Sequence, residues 1–410
     1  MAYSQVNDVA TANVAQINDV NYSSIAQISD NDSPVSGATQ WAVASIDMFI
    51  SWAAHDDIAD VTEWENNFYR LENSSADAFD IAYGEDGSGG AMWMTIWNSN
   101  GDEIKFDGNN DITDESTWST HNIHSDYGNA KQRTIVYGRG DGNSDSSSGN
   151  AVTRVGCWMT AGYTSSNNAW LHRSVDGGSN WTHLNLHGLT NIVGASGNDS
   201  SMTGLASDGT GNWMVAFKGN LYFSSDSGVS FSFLLQPSGS GSQFIRDIVY
   251  TNNTWVIIQK NGAALQALTC AGSTAANMDA TSDWSNAVTL TDANNDGLNG
   301  NAAFARAAAA GGRVVCTEGG NTIAFTVNGK NDPVIQGTRQ TLPDEGTANC
   351  IATDGTTWLT GSDGGSTDDD GGDICRSTDG GANWTKICEG IQSSGDKKIE
   401  GIAANVVLPL

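Results

Sequence analysis

Basic residues are scarce in this chain: 18 lysines and arginines stand against 47 aspartates and glutamates, for a formal net charge of −29. Such a balance repels nucleic acid and anionic membrane surfaces, so neither is expected as a partner. Proline is nearly absent, with five residues in 410. The six cysteines, Cys157, Cys270, Cys316, Cys350, Cys375 and Cys388, form no CxxC pair, which argues against a zinc site. Most sit in apolar, strand-like runs and read as small buried hydrophobes; Cys375 and Cys388 flank one turn and leave room for a single disulfide. No apolar run is long enough to span a membrane, so no membrane insertion is expected. The N-terminus carries no basic region followed by an apolar core, hence no expected secretory signal. Long segments of helical period are also missing; the nearest, Phe304 to Ala310, is short, alanine-rich and bounded by glycines.

What the chain does have is 48 glycines, 14 tryptophans and abundant Asn, Asp, Ser and Thr, a composition suited to many short strands joined by tight turns. One octet recurs. Ser174-Val175-Asp176-Gly177-Gly178-Ser179-Asn180-Trp181 returns as Ser377-Thr378-Asp379-Gly380-Gly381-Ala382-Asn383-Trp384, and more loosely as Ser224 to Phe231, with Asp226 in the central place. A Ser hydroxyl and an Asp carboxylate can accept the amides of such a turn, and glycine permits positive φ. The aromatic then begins the return strand and supplies buried area.

This octet resembles the Asp-box (BNR) repeat, the turn between the outer two strands of a blade in many β-propellers. The resemblance implies architecture more than activity, because in that family the box lies on the rim, away from the ligand-binding face. The aromatics Trp64, Trp118, Trp181, Phe231, Trp284 and Trp384 recur at about 50 residues, with one double gap near residue 333. There Thr326-Val327-Asn328-Gly329 reads as an eroded box, with Pro333 where the aromatic belongs. A second series, Trp93, Trp158, Trp213, Trp255 and Trp358, opens an apolar run upstream of each turn. The first unit has its upstream aromatic, Trp41, but no strand before it, while Ile399 to Val407 is a strand with nothing after it. The expected fold is therefore all-β: a seven-bladed propeller of four-stranded blades over 39–410, with 399–408 completing the first blade. Closing the ring removes exposed sheet edges.

Residues 1–38 are expected to be a separate, extended repeat segment. Gln5-Val6-Asn7-Asp8, Gln16-Ile17-Asn18-Asp19 and Gln27-Ile28-Ser29-Asp30 recur every 11 residues, with too few apolar side chains for a core. These units resemble the amino-terminal repeats of marine bacteriophage virion and tail proteins. That resemblance implies a non-enzymatic virion protein: a tail fibre, receptor-binding or head-surface component, present in many copies of a symmetric particle. Residues 1–38 would bind other virion proteins, and the propeller would face outward towards a host glycan or receptor.

The alternative is a sialidase-like hydrolase or glycan binder. Sialidases resembling this repeat pattern hold the substrate carboxylate with three arginines, the first in an Arg-Ile-Pro motif, which is missing here. Arg133, Arg246 and Arg306 nevertheless lie in expected inner strands, and Phe244-x-Arg246 and Phe304-x-Arg306 suggest matching registers. A third option, a scaffold resembling photosystem assembly factors, lacks support from any clustered basic face. No cofactor is expected, with calcium the one alternative. Asp292-x-Asn294-x-Asp296-Gly297 has the spacing of a calcium loop, but position 303 is Ala where an EF-hand places its glutamate. His121-x-x-His124 and His183-x-x-x-His187 read as surface histidines, and Arg139-Gly140-Asp141 as a glycine-rich turn.

Overall fold

The computed structural model describes residues 40–406 apart from short runs, the longest 186–201, and only 16–17 and 20–21 of the leader. Two compact units result, Met1–Gly37 and Ala38–Leu410. In the first, Gln16–Ile17 pairs antiparallel with Val20–Asn21. The remaining leader repeats lie outside the described residues.

The second unit is a seven-bladed propeller, each blade a four-stranded antiparallel sheet. The innermost strands are Ile399–Ala404, Asp77–Glu85, Ala130–Gly138, Met202–Ser207, Ile245–Thr251, Ala305–Ala310 and Ala348–Thr353. Each packs on the next around the ring, and the last packs on the first. Blade 1 takes its inner strand from the far end of the sequence: Trp41 faces Ala404 and Val43 faces Ile402 across the Gln40–Ser45 ladder. Asn405 adds two hydrogen bonds at this join, accepting the Gln40 amide on Oδ1 (2.9 Å) and donating its own amide to the Gln40 carbonyl (3.0 Å).

The core lies between blades because strand side chains alternate faces. At the closing seam, Trp41, Val43, Ile399 and Ile402 from blade 1 share one apolar layer with Leu359, Ile374 and Cys388 from blade 7. The tryptophans that open second strands are fully or almost fully buried. In blades 2, 3 and 5 each faces an inner-strand tyrosine, as in Tyr250 and Trp255 with ring centroids 4.7 Å apart. Such cross-strand aromatic pairs add to the area term.

The recurring octets join third and fourth strands. Ser174 Oγ accepts the Gly178 amide (2.9 Å) and donates to Asp176 Oδ1 (2.8 Å), which also accepts the Asn180 amide (2.9 Å). The same bonds form around Ser224–Asp226 and Ser377–Asp379. Gly178 has φ +85°, and a Cβ there would sit 2.9 Å from Met94 Cε of the preceding blade. The octet is thus a turn and an inter-blade packing device. The Trp64 turn departs from this pattern: a helical turn, Val61–Asn66, capped by Asp60 accepting the Thr62 amide, carries the buried tryptophan.

All six cysteines are buried free thiols. Cys388 faces Ile374, not Cys375, across its ladder, so the two sulfurs point to opposite sides of the blade.

Candidate functional site

A propeller's inner strands have one edge unpaired, and seven such edges surround the central channel. One position on each strand is defined by facing the third residue of the second strand after its opening aromatic, or after Val314, which stands in the aromatic's place in the sixth blade. Gly401, Asp80, Thr134, Gly204, Asp247, Arg306 and Cys350 occupy it, facing Ala44, Ile96, Ala161, Ala216, Ile258, Thr317 and Gly361. In six blades the ladder slips by one residue just before this position, a β-bulge; Ala305–Ala310 alone is regular. The chain therefore places two carboxylates and one guanidinium in a single layer of the ring.

The carboxylates have a structural task. Asp80 Oδ1 accepts the Ile81 amide (2.9 Å), while Oδ2 reaches the next blade and accepts the Ile135 amide (3.0 Å) and the Thr134 hydroxyl (3.1 Å). Asp247 repeats this: Oδ1 accepts the Ile248 amide (2.8 Å) and Oδ2 the Ala307 amide (2.8 Å). Edge amides that would otherwise lack a partner are satisfied, and adjacent inner strands are stapled together. Each aspartate also has a glycine behind it, on the preceding blade. A Cβ on Gly401 would lie 2.7 Å from Asp80 Cα, and one on Gly204 would lie 2.8 Å from the Ile248 nitrogen. Only glycine lets the strands approach this closely.

Burial pushes both carboxyls up to about 6, against the pull of their amide donors and of Arg306; the Asp80 charge raises Asp247 further. Arg306 acts on both aspartates through space, yet its guanidinium donates one hydrogen bond, to the Ala305 carbonyl (3.3 Å). Among the described residues it makes no ion pair. The layer opens into a cavity of about 320 Å³ whose lining includes Asp80, Tyr137, Asp247, Tyr250, Arg306 and Glu400. That volume falls at the lower end of small-molecule sites, about 300–1,000 Å³.

The three expected arginines separate. All lie on inner strands, but Arg246 is the extra residue of a bulge and Arg306 is not, so Arg306 matches Asp247 in position. Arg246 is buried outside the cavity lining, and Arg306 lines it. Arg133 occupies the bulge of its own strand, and its side chain lies outside the described residues. Asp292, Asn294 and Asp296 form a tight turn outside the channel's lining. Asp292 Oδ1 accepts the Asn294 (2.8 Å) and Asp296 (3.0 Å) amides, and Oδ2 accepts the Arg339 amide (3.0 Å). Burial raises this carboxyl, and the three amides more than offset it, leaving it below the usual range. Among the described residues no three His, Cys, Asp or Glu side chains are grouped to hold a metal ion.

Sequence reading missed Asp80 and Asp247; the available signal was a carboxylate in the middle of an apolar strand. It also missed His172, which is fully buried and faces the half-buried His183 across its ladder, their Nδ1 atoms in contact. Burial, then the charges of His183 and His121, holds His172 well below the ordinary histidine value. His183 is therefore no plain surface residue, while His124 and His187 lie outside the described residues. Arg139 of the Arg-Gly-Asp tripeptide donates to Glu85 Oε1 (3.2 Å).

No protein-family model matches the chain, and no curated protein matches it. Solved structures do. A protein from Lactobacillus plantarum shares 10% identity at a TM-score of 0.51, covering 89% of this chain and 98% of that one. A candidate 6-phosphogluconolactonase from Bacteroides uniformis shares 8% identity at 0.50, covering 90% and 99%. A six-bladed, fucose-recognising lectin from Aleuria aurantia shares 13% identity at 0.40, covering 74% and 91%. At these identities the likeness is one of fold alone.

Proposed function

We propose that this propeller is a glycan-binding protein that seats a small saccharide in its central channel. The observation that carries the reading is the cavity of about 320 Å³, where Asp80, Asp247 and Glu400 stand with Arg306 and two tyrosines. Hydroxyl-rich ligands need many donors and acceptors with apolar or aromatic surface between them, and this lining offers that mixture. Binding is favoured over hydrolysis because Asp80 and Asp247 are each bonded by backbone amides of two blades. Carboxylates so held are fixed acceptors, poorly placed to swing towards an attacking position.

The test is a glycan array probed with the full chain, followed by a fluorogenic sialoside assay. Retention of a defined glycan without turnover is the expected result; turnover would revive the hydrolase reading, and an empty array together with no turnover would remove both. The particle role read from residues 1–38 is a separate proposal, resting on the leader repeats. Mass spectrometry of purified particles tests it, and absence of the chain there would end it.

A further inference from the structure

The ring contains the same corner twice. Gly401, Asp80 and Thr134 on successive blades correspond to Gly204, Asp247 and Arg306. In both corners a glycine backs an aspartate that staples the next strand. They differ in the third residue, and that difference decides what each corner has left to offer.

At the first corner Thr134 donates its hydroxyl to Asp80 Oδ2, which already holds the Ile135 amide. With the Ile81 amide on Oδ1, three of the roughly four lone-pair sites of a carboxylate are filled. At the second corner Asp247 holds two amides among the described residues, leaving about two sites open. Its neighbour is not a short hydroxyl turned back on the carboxylate but Arg306, with one donor engaged and, among the described residues, the rest of its planar fork unused. Acceptors and donors therefore stand side by side on adjacent strands, both lining the cavity.

From this arrangement we infer that the Asp247–Arg306 corner is the seat of the ligand, and that it reads neighbouring hydroxyls of a neutral sugar. This inference rests on the glycan-binding reading and adds to it a location and a ligand class. One sugar hydroxyl donates to Asp247, and the adjacent oxygen accepts from Arg306. Hydrogen bonds of this kind, with one charged partner, are among the stronger ones available to a ligand.

Charge decides against the other sugar classes. The charged side chains lining the cavity are Asp80, Asp247, Glu400 and Arg306, three carboxylates to one guanidinium. A carboxylate-bearing sugar would gain Arg306 and face three like charges at short range in a partly desolvated space. The three-arginine clamp that such sugars need is not assembled here, since Arg246 is buried outside the lining. An amino sugar would be drawn to the carboxylates, but seated at this corner its ammonium would stand against the Arg306 guanidinium, where its hydroxyl neighbours must bind. A neutral polyhydroxyl ligand avoids both conflicts.

The experiment uses the full chain in calorimetric titrations with the best neutral array hit, its uronic-acid counterpart and its amino counterpart. The neutral sugar is expected to bind at least tenfold tighter than either. Arg306→Gln should weaken it by at least tenfold while the circular dichroism spectrum stays that of the parent and a cooperative melting transition is kept. Asp247→Asn should weaken it similarly; should that variant fail to fold, Arg306→Gln and the ligand preference decide alone. Tighter binding of the acidic or amino sugar, or undiminished affinity in Arg306→Gln, overturns the corner assignment and leaves glycan binding intact. Failure of every glycan to bind the parent protein overturns the glycan reading itself.

Discussion

Removing the strand that closes the ring should leave a chain unable to fold. Truncation after Lys398 deletes Ile399–Ala404, in which Ile399, Ile402, Ala403 and Ala404 are all buried. Two isoleucines at roughly 2–3 kcal/mol each and two alanines at about 1 kcal/mol amount to about 7 kcal/mol of lost burial. The ladder to Gln40–Ser45 pairs five residues, and five hydrogen bonds at about 1 kcal/mol net contribute roughly 5 kcal/mol more. The sum, about 12 kcal/mol, rivals the whole stability of an ordinary domain, about 5–15 kcal/mol. Uncapping the seam also exposes Trp41 and Leu359, which share its apolar layer. The assay is thermal melting followed by tryptophan fluorescence, for the full chain, the truncated chain, and the truncated chain with a peptide of residues 397–410. The expected outcome is no cooperative transition after truncation, and its return on adding the peptide. A truncated chain melting cooperatively within about 5 °C of the parent would mean a loss of only about 4 kcal/mol for a unit of this size and would refute the reasoning.

Two further outcomes follow from the channel corners. Gly204→Ala would place a methyl 2.8 Å from the Ile248 nitrogen, a backbone atom that cannot turn aside. Urea titration should show a loss of at least about 2 kcal/mol, as for other overpacked sites, and an unchanged midpoint would contradict the close approach. The second outcome is a dependence on pH. Asp80 and Asp247, raised to about 6 when folded, hold protons between about pH 4 and 6 that the unfolded chain has released. They therefore destabilise the ring above pH 6, and this penalty fades as pH falls towards 4. His172 acts in the opposite direction: held neutral, it withholds stability as pH falls below about 6.5, where the unfolded imidazole takes up a proton. Relative to the parent, Asp247→Asn should be more stable at pH 7.5 than at pH 4.5 by roughly 1–3 kcal/mol. An equal difference at both values would place that carboxyl back in the ordinary range.

The ring was legible in the sequence because its signal is long and repeated. Paired aromatics at a period near 50 mark six blades, a double gap near residue 333 marks the seventh, and an unpartnered strand at Ile399 matches an unpartnered beginning at Trp41. The channel was less legible, and the reason is the bulge. An extra residue shifts every later side chain to the other face, so Arg246 and Arg306, alike in sequence context, occupy different positions. Single aspartates in apolar strands carry no spacing motif; their meaning lies in amides of the neighbouring blade, which linear patterns do not bring together. The same holds for Cys375 and Cys388, close along the hairpin and separated by register. Trp64 keeps the spacing of the other turn aromatics, but there Asp60 caps a helical turn in place of the octet's bonds.

Hydrogen–deuterium exchange with and without the best-binding neutral glycan tests most directly whether the channel is the working site. Protection should be confined to peptides covering Ile245–Thr251 and Ala305–Ala310, the strands that carry Asp247 and Arg306. Protection confined instead to the rim turns around Asp176, Asp226 and Asp379, with the inner strands unchanged, would contradict it.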